Sequence, residues 1–273
     1  MSSTILFLLS IYYCIQLFIV IQCVINLIVL TKKERTLKMQ ELLQGFGVLS
    51  IYFAIAASSA LLCRFLIKIP DEVFRKTLHF ILLGSIFVFV FAFENWYIAA
   101  LASLIFETIV YPMLLIFEKI KNFSNFTTER KKGELKASLL LVFTMFAVVI
   151  SVCWGLFKDK YLVLASILAW GVGDAFAALI GKKYGKHKIH DSHTDGKKSY
   201  EGSFAMFFFS FISILTVITW HGHFSLVGYL VVPLITALVS TTAELYSKNG
   251  LDTVICPISA MIALNILNLI FGR

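Results

Sequence analysis

The 273-residue chain is 59% hydrophobic, with a mean hydropathy of +0.87, and only 15% of it is charged. A water-soluble domain of this length is far more polar, so that class is excluded. The formal charge of +8 lies almost wholly between apolar runs, where it is first an orientation signal and only second a sign of an anionic partner.

Apolar runs of about 20 residues recur along the chain, long enough to cross a bilayer as helices. Lipid offers the backbone no hydrogen-bond partners, so such runs must be helical. The expected fold is therefore all-α: a polytopic integral membrane protein with about nine transmembrane helices. The predicted spans are Thr4–Leu30, Gln44–Leu66, Thr77–Phe93, Trp96–Phe117, Ala137–Phe157, Tyr161–Ile180, Gly202–Trp220, Phe224–Leu245 and Thr253–Phe271. The first lacks a basic leader and a small-residue cleavage site, so it reads as a retained helix rather than a signal peptide. The third is short and polar at its start, which suggests a tilted or protein-sheltered helix. Loops after the even-numbered spans carry most of the 24 Lys and Arg, which places that face in the cytoplasm. Lys32, Lys33, Arg35 and Lys38, in the first predicted loop, run against this rule. The five cysteines (Cys14, Cys23, Cys63, Cys153 and Cys256) have no metal-ligand spacing and read as free, buried thiols. The sequons at Asn122-Phe123-Ser124 and Asn125-Phe126-Thr127 fall in a loop assigned to the cytoplasm and read as chance matches.

Four polar clusters fall on or just inside the even face. In Arg75-Lys76-Thr77-Leu78-His79, Arg75 and His79 are four residues apart and share a helix face. The cations suit a phosphate and His79 a hydroxyl, against the plainer reading of interfacial anchoring. Arg130-Lys131-Lys132-Gly133-Glu134-Leu135-Lys136 reads as a solvated basic loop, with Glu134 at the membrane edge more suggestive. The third cluster, Gly171 to Ser203, is the richest. Asp174 lies inside an apolar span, where an ionisable group is costly and calls for a partner or a function. It suits Mg²⁺, which takes one or two carboxylates plus phosphate oxygens. Gly173 allows close approach of backbone or ligand, or serves helix packing. Gly181 and Gly185 would let loop N–H groups turn toward phosphate. Lys182, Lys183, Lys186, Lys188, Lys198 and Ser199 would cradle the phosphates, and Glu201 is a second candidate metal ligand. The fourth cluster is Glu244, inside an apolar run, with Asp252 before Cys256-Pro257. His187, His190 and His193 with Asp191 and Asp195 have metal-like spacing but no helical pattern, and read as solvated loop.

These residues resemble the CTP-dependent lipid kinase family that includes dolichol kinase, phytol kinase and the fungal-type diacylglycerol kinase. The matching pieces are Arg75-Lys76-x-x-His79, Lys132-Gly133-Glu134-Leu135, Gly173-Asp174-Ala175-x-Ala177-x-x-x-Gly181-x-x-x-Gly185 and Lys198-Ser199-x-Glu201-Gly202-Ser203. The family's late Glu is matched by Glu244, but Asp252-Thr253 stands where the family has Asp-Asn. The resemblance covers about Glu72 to Phe271. It divides the chain into N-terminal helices (residues 1–70) outside it and a membrane-embedded core (71–273) with cytoplasmic CTP-binding loops. It implies transfer of a phosphoryl group from CTP to a membrane lipid alcohol. Asp174 and Glu201 would hold Mg²⁺; Arg75, Lys76, Gly173, Gly181, Lys182, Lys183, Gly185, Lys198, Ser199 and Gly202 would hold CTP; His79, Asp174 or Glu244 would take the hydroxyl proton. The expected partners are a membrane lipid and CTP, not nucleic acid. Gly181 to Ile189 also resembles CTP:phosphatidate cytidylyltransferase, but that family's late His-Gly-Gly and Asp-Arg-x-Asp elements have no counterpart here. A transporter with Asp174 and Glu244 as ion relays is the non-enzyme alternative, without the paired broken helices such folds show.

Overall fold

The computed structural model describes residues 16–26, 28, 30–67, 69–117, 134–189, 198–247 and 250–272, with the backbone alone at 117 and 134–137. The helices are α1 (Gln16–Asn26), α2 (Lys32–Leu66), α3 (Asp71–Phe91), α4 (Trp96–Phe117), α5 (Glu134–Val149), α6 (Lys160–Tyr184), α7 (Tyr200–His221), α8 (Gly228–Tyr246) and α9 (Asp252–Phe271). A π-helical segment, Ile150–Leu156, continues α5, and with it eight helices, α2 to α9, are long and apolar enough to cross a membrane. No strand occurs among the described residues, only two isolated bridges. The chain is an all-α multi-pass membrane protein. Cys14, both sequons, Arg130 to Gly133, His190, Asp191, His193 and Asp195 lie outside the described residues.

The first predicted loop is corrected. Lys32, Lys33, Arg35 and Lys38 stand on the opening turns of the 35-residue α2. Thr31 starts that helix with a capping box: its hydroxyl accepts from Glu34 N, and the Glu34 carboxylate accepts from Thr31 N at 2.8 Å. At about 1.5 Å per residue α2 is about 50 Å long, against a hydrocarbon layer of about 30 Å. Its basic start is a helical extension beyond the apolar stretch rather than an irregular loop. α2 is also the least covered span. This is why Cys63 is exposed, contrary to expectation, while Cys23, Cys153 and Cys256 are buried thiols as expected.

The core is aromatic between α2, α3, α4 and α5, where Phe53, Phe106, Phe143, Phe89 and Phe146 pack edge to face or stacked. It is small-residue at the centre of the bundle. α6 is the most buried span and packs against α3, α7 and α9. Lipid supplies no hydrophobic drive between helices, so close approach has to come from small side chains. A Cβ at Gly202 on α7 would lie 3.2 Å from the Ala177 carbonyl oxygen and 3.4 Å from Gly181 Cα. The α6–α7 crossing is thus backbone on backbone.

Polar pairs tie one end of the bundle: Arg64 to Asp71 at 3.1 Å, Lys182 to Glu72 at 3.4 Å and Lys198 to Glu244 at 2.9 Å. The other end is tied by Asp159, which caps α6 through Tyr161 N and pairs with His221 at 2.9 Å.

Gly202→Leu must push α6 and α7 apart, an overpacking cost of about 1–3 kcal/mol. It should lower the thermal midpoint of the detergent-solubilised protein by several degrees. Gly47→Leu on α2, where nothing lies within 4 Å, should leave the midpoint unchanged.

Candidate functional site

The site begins with Asp174, which sits nearly three turns before the end of α6. A carboxylate at that depth needs a counter-charge, and the polar start of α3 supplies it. Proline cannot continue a preceding helix, and Pro70 sets the N-terminus of α3 at Asp71, six residues before the predicted span. That start gives Lys76 and His79, three apart, to the α6 side. Lys76 Nζ lies 2.6 Å from Asp174 Oδ2 and 3.4 Å from the Asp174 carbonyl oxygen. The Lys76 side chain is only 5% exposed and that of Asp174 18%. His79 Nε2 meets the Gly171 carbonyl at 2.9 Å and lies 4.0 Å from Asp174 Oδ2, with its ring edge-on to Trp170. The third span is not short: α3 has 21 residues, its polar first turns are covered by α6 at Lys76 and His79, and as a whole it is no more buried than α4, α7 or α9. Arg75, expected on the His79 face, instead bonds Glu72 at 2.5 Å.

A second ion pair lies across the cavity. Lys198 Nζ, just before α7, meets Glu244 Oε1 near the end of α8 at 2.9 Å and also donates to the Glu244 carbonyl. Asp252 opens α9 within electrostatic reach of Asp174 and Lys198.

Between the two pairs lies a cavity of about 350 Å³ lined by Glu72, Asp174, Ala177, Ala178, Gly181, Lys182, Lys188, Lys198, Ser199, Gly202, Ser203 and Glu244. Charges of both signs converge there, and the buried Ser203 hydroxyl has no hydrogen-bond partner among the described residues. Such a cavity suits a ligand that carries phosphate and a cation together. Mg²⁺ needs only one or two protein carboxylates when phosphate and water complete its shell, and Asp174 supplies one on the cavity wall. Among the described residues no group of three or more His, Cys, Asp or Glu forms a closed metal cage.

Several expected residues lie elsewhere. Glu201 points away from Asp174: its Oε1 accepts from Lys186 N and His187 N, both at 3.2 Å, and meets His187 Nδ1 at 2.7 Å. It clamps the loop after α6, whose base is closed by Ile189 N to Lys198 O and Tyr200 N to His187 O. Gly181 is still helical and donates no loop N–H to the cavity. Gly185 donates to Gly181 O, and a side chain there would collide with that oxygen and with Ser199. Gly173 packs against Met206 and Ser210 of α7. These three glycines serve helix packing, because the helix runs on to Tyr184. Lys183 lies over the Tyr184 ring, 5.0 Å from its centroid, and does not line the cavity. Ser199 lines it while capping α7 through Gly202 N. Lys182 reaches it from a largely exposed position. Sequence reading missed Glu72, which lines the cavity and meets both Arg75 and Lys182. Its three-residue spacing to Arg75 was the available signal. The side chains of Glu134, Leu135 and Lys136 lie outside the described residues.

A known protein shares part of this chain. The match is a phytol kinase. That protein, from Synechocystis sp., is 33% identical over 98 residues, which is 36% of this chain and 40% of the relative. The alignment thus spans well under half of that protein's length. No family model matches the chain, and no solved structure matches it.

If Glu201 holds the loop, Glu201→Ala strips two backbone N–H groups of their protein acceptor. Hydrogen–deuterium exchange at Lys186 and His187 should then be about ten-fold faster or more, with exchange on α8 unchanged. Unaltered exchange at those two amides would show that the clamp is not needed.

Proposed function

We propose that this protein is an integral-membrane lipid kinase that transfers the terminal phosphoryl group of CTP to a lipid alcohol, giving lipid monophosphate and CDP. The observation that carries the reading is the paired arrangement of Lys76–Asp174 and Lys198–Glu244 around one cavity. Partial likeness to a phytol kinase supports a kinase rather than a transporter. The choice of CTP, of Mg²⁺ and of the cytoplasmic face rests on the resemblance of the cavity residues and on the positive-inside pattern.

The acceptor oxygen attacks the γ-phosphorus, the bond from that phosphorus to the β,γ-bridging oxygen breaks, and the hydroxyl proton passes to a protein base. Such a transfer asks for positioning and charge neutralisation more than covalent help. Asp174 would hold Mg²⁺, which when bound would neutralise phosphate charge. Lys182, Lys188 and Lys198 of the cavity wall would take the phosphates, with Lys76 behind Asp174 in reserve, and the N-terminus of α7 adds partial positive charge at the rim. Glu244, on the cavity wall, is the base. His79 stands behind Asp174 and Lys76 rather than on the cavity wall, so its part is to position them. The lipid hydroxyl reaches the cavity between helices at the membrane edge, where a snug apolar tail site is not required.

Purified protein given CTP, Mg²⁺ and a panel of phytol-like, polyprenyl and diacylglycerol acceptors should produce one lipid monophosphate and stoichiometric CDP. Asp174→Asn should reduce turnover at least about 10³-fold, in the range for lost electrostatic stabilisation of a transferring group, while the protein still inserts and folds. Pyrophosphate release with phosphatidate as acceptor would replace the kinase reading with cytidylyl transfer. Wild-type turnover in Asp174→Asn would remove its central residue.

A further inference from the structure

The two lysines best placed to hold phosphate are not free to do so. Lys76 is spent on Asp174 and Lys198 on Glu244, each through a close ion pair with little exposure. In each pair the lysine makes a second contact to a carbonyl oxygen of its partner residue. The candidate cation ligand and the candidate base are therefore both occupied by ammonium groups. The same two ammonium groups are withheld from any phosphate.

From this geometry we infer that the cavity works by ion-pair exchange, with Lys76 and Lys198 acting as internal stand-ins for the cation and released together onto the phosphates. The inference rests on the kinase reading for the identity of the ligand, though not for its test. A divalent cation arriving alone meets Lys76 already on Asp174 and is repelled. A polyphosphate arriving alone finds both ammonium groups held by Asp174 and Glu244, and drawing them off would strand two carboxylates. A cation–nucleotide complex supplies both exchanges at once. Lys76 leaves Asp174 for a phosphate oxygen as the carboxylate passes to the cation, and Lys198 leaves Glu244 for another. Asp174, Lys76 and Lys198 each exchange one partner for another, as a low-dielectric site requires, and Glu244 alone loses its ammonium partner. The release of Lys198 is what frees Glu244 to accept the hydroxyl proton. The resting site is thereby kept from binding free cation, and its base is exposed only when a phosphate donor is present.

The test needs no turnover. Mn²⁺ is titrated into the nucleotide-free, detergent-solubilised full chain and the free ion is read by electron paramagnetic resonance. Wild type should bind Mn²⁺ weakly. Lys76→Met, which unlocks Asp174, should bind it at least ten-fold more tightly, and Asp174→Asn in that background should return binding to the wild-type level. Lys76→Gln, which keeps length and polarity but not charge, carries the same expectation and serves if the Met variant does not fold. In wild type, saturating β,γ-imido-CTP should tighten Mn²⁺ binding to the protein at least ten-fold, after allowance for Mn²⁺ held by free nucleotide. Tight nucleotide-free binding in wild type, or no gain in a folded Lys76 variant, overturns the exchange. Absence of phosphoryl transfer with every acceptor would instead defeat the kinase reading and leave this titration standing.

Discussion

One buried carboxylate sets the terms for the rest of the molecule. Asp174 lies within a membrane-embedded helix, and an unpaired charge there is far too costly to keep. Lys76 from α3 answers it at 2.6 Å. To bring that lysine into place, α3 must start early, lie against α6 and turn its polar first turns inward. Removing either partner would leave the other charge stranded, at about 3–5 kcal/mol. A pair that were merely structural would gain nothing over two apolar side chains, so its presence on a cavity wall speaks for use.

The second constraint is closeness. The cavity exists because α6 and α7 meet backbone to backbone at Gly181 and Gly202, which brings Lys198 and Ser199 beside Asp174. Glu201 then fixes the loop that carries Lys186 and Lys188 by accepting its N–H groups. Glycine and carboxylate here shape the cradle without touching its contents.

The sequence made legible what lipid makes expensive. Helices, span lengths and the lone charges Asp174 and Glu244 stand out because water is absent and each polar group needs a reason. Lys76 and His79, Asp174 with Lys198, and Glu244, from three of the four clusters, gather about one cavity, while Arg130 to Gly133 lie outside the described residues. What could not be read was direction. Gly181 and Gly185 look like a phosphate loop on paper, but helical propensity carries α6 on to Tyr184 and turns them to packing. Glu201 begins a helix beside the site residues and yet faces the other way, because positions one residue apart on a helix point about 100° apart. Glu72 was passed over because an acidic residue in a first turn looks like ordinary helix-end charge. The basic start of α2 reads as a loop because a run of charge resembles a break, whereas a capped helix runs through it.

The account stands or falls on whether the polyphosphate of CTP lies against the lysines of this one cavity. An acyl-phosphate derivative of CTP, whose acyl group transfers to a lysine amine lying beside the terminal phosphate with release of CTP, reads this directly. After digestion, mass spectrometry should find the label on Lys198, Lys76 or Lys182, and excess CTP·Mg²⁺ should suppress it. Label that CTP does not suppress, or that CTP suppresses only on the remote lysines Lys32, Lys33 and Lys38 of α2, would contradict the assignment of this cavity as the nucleotide site.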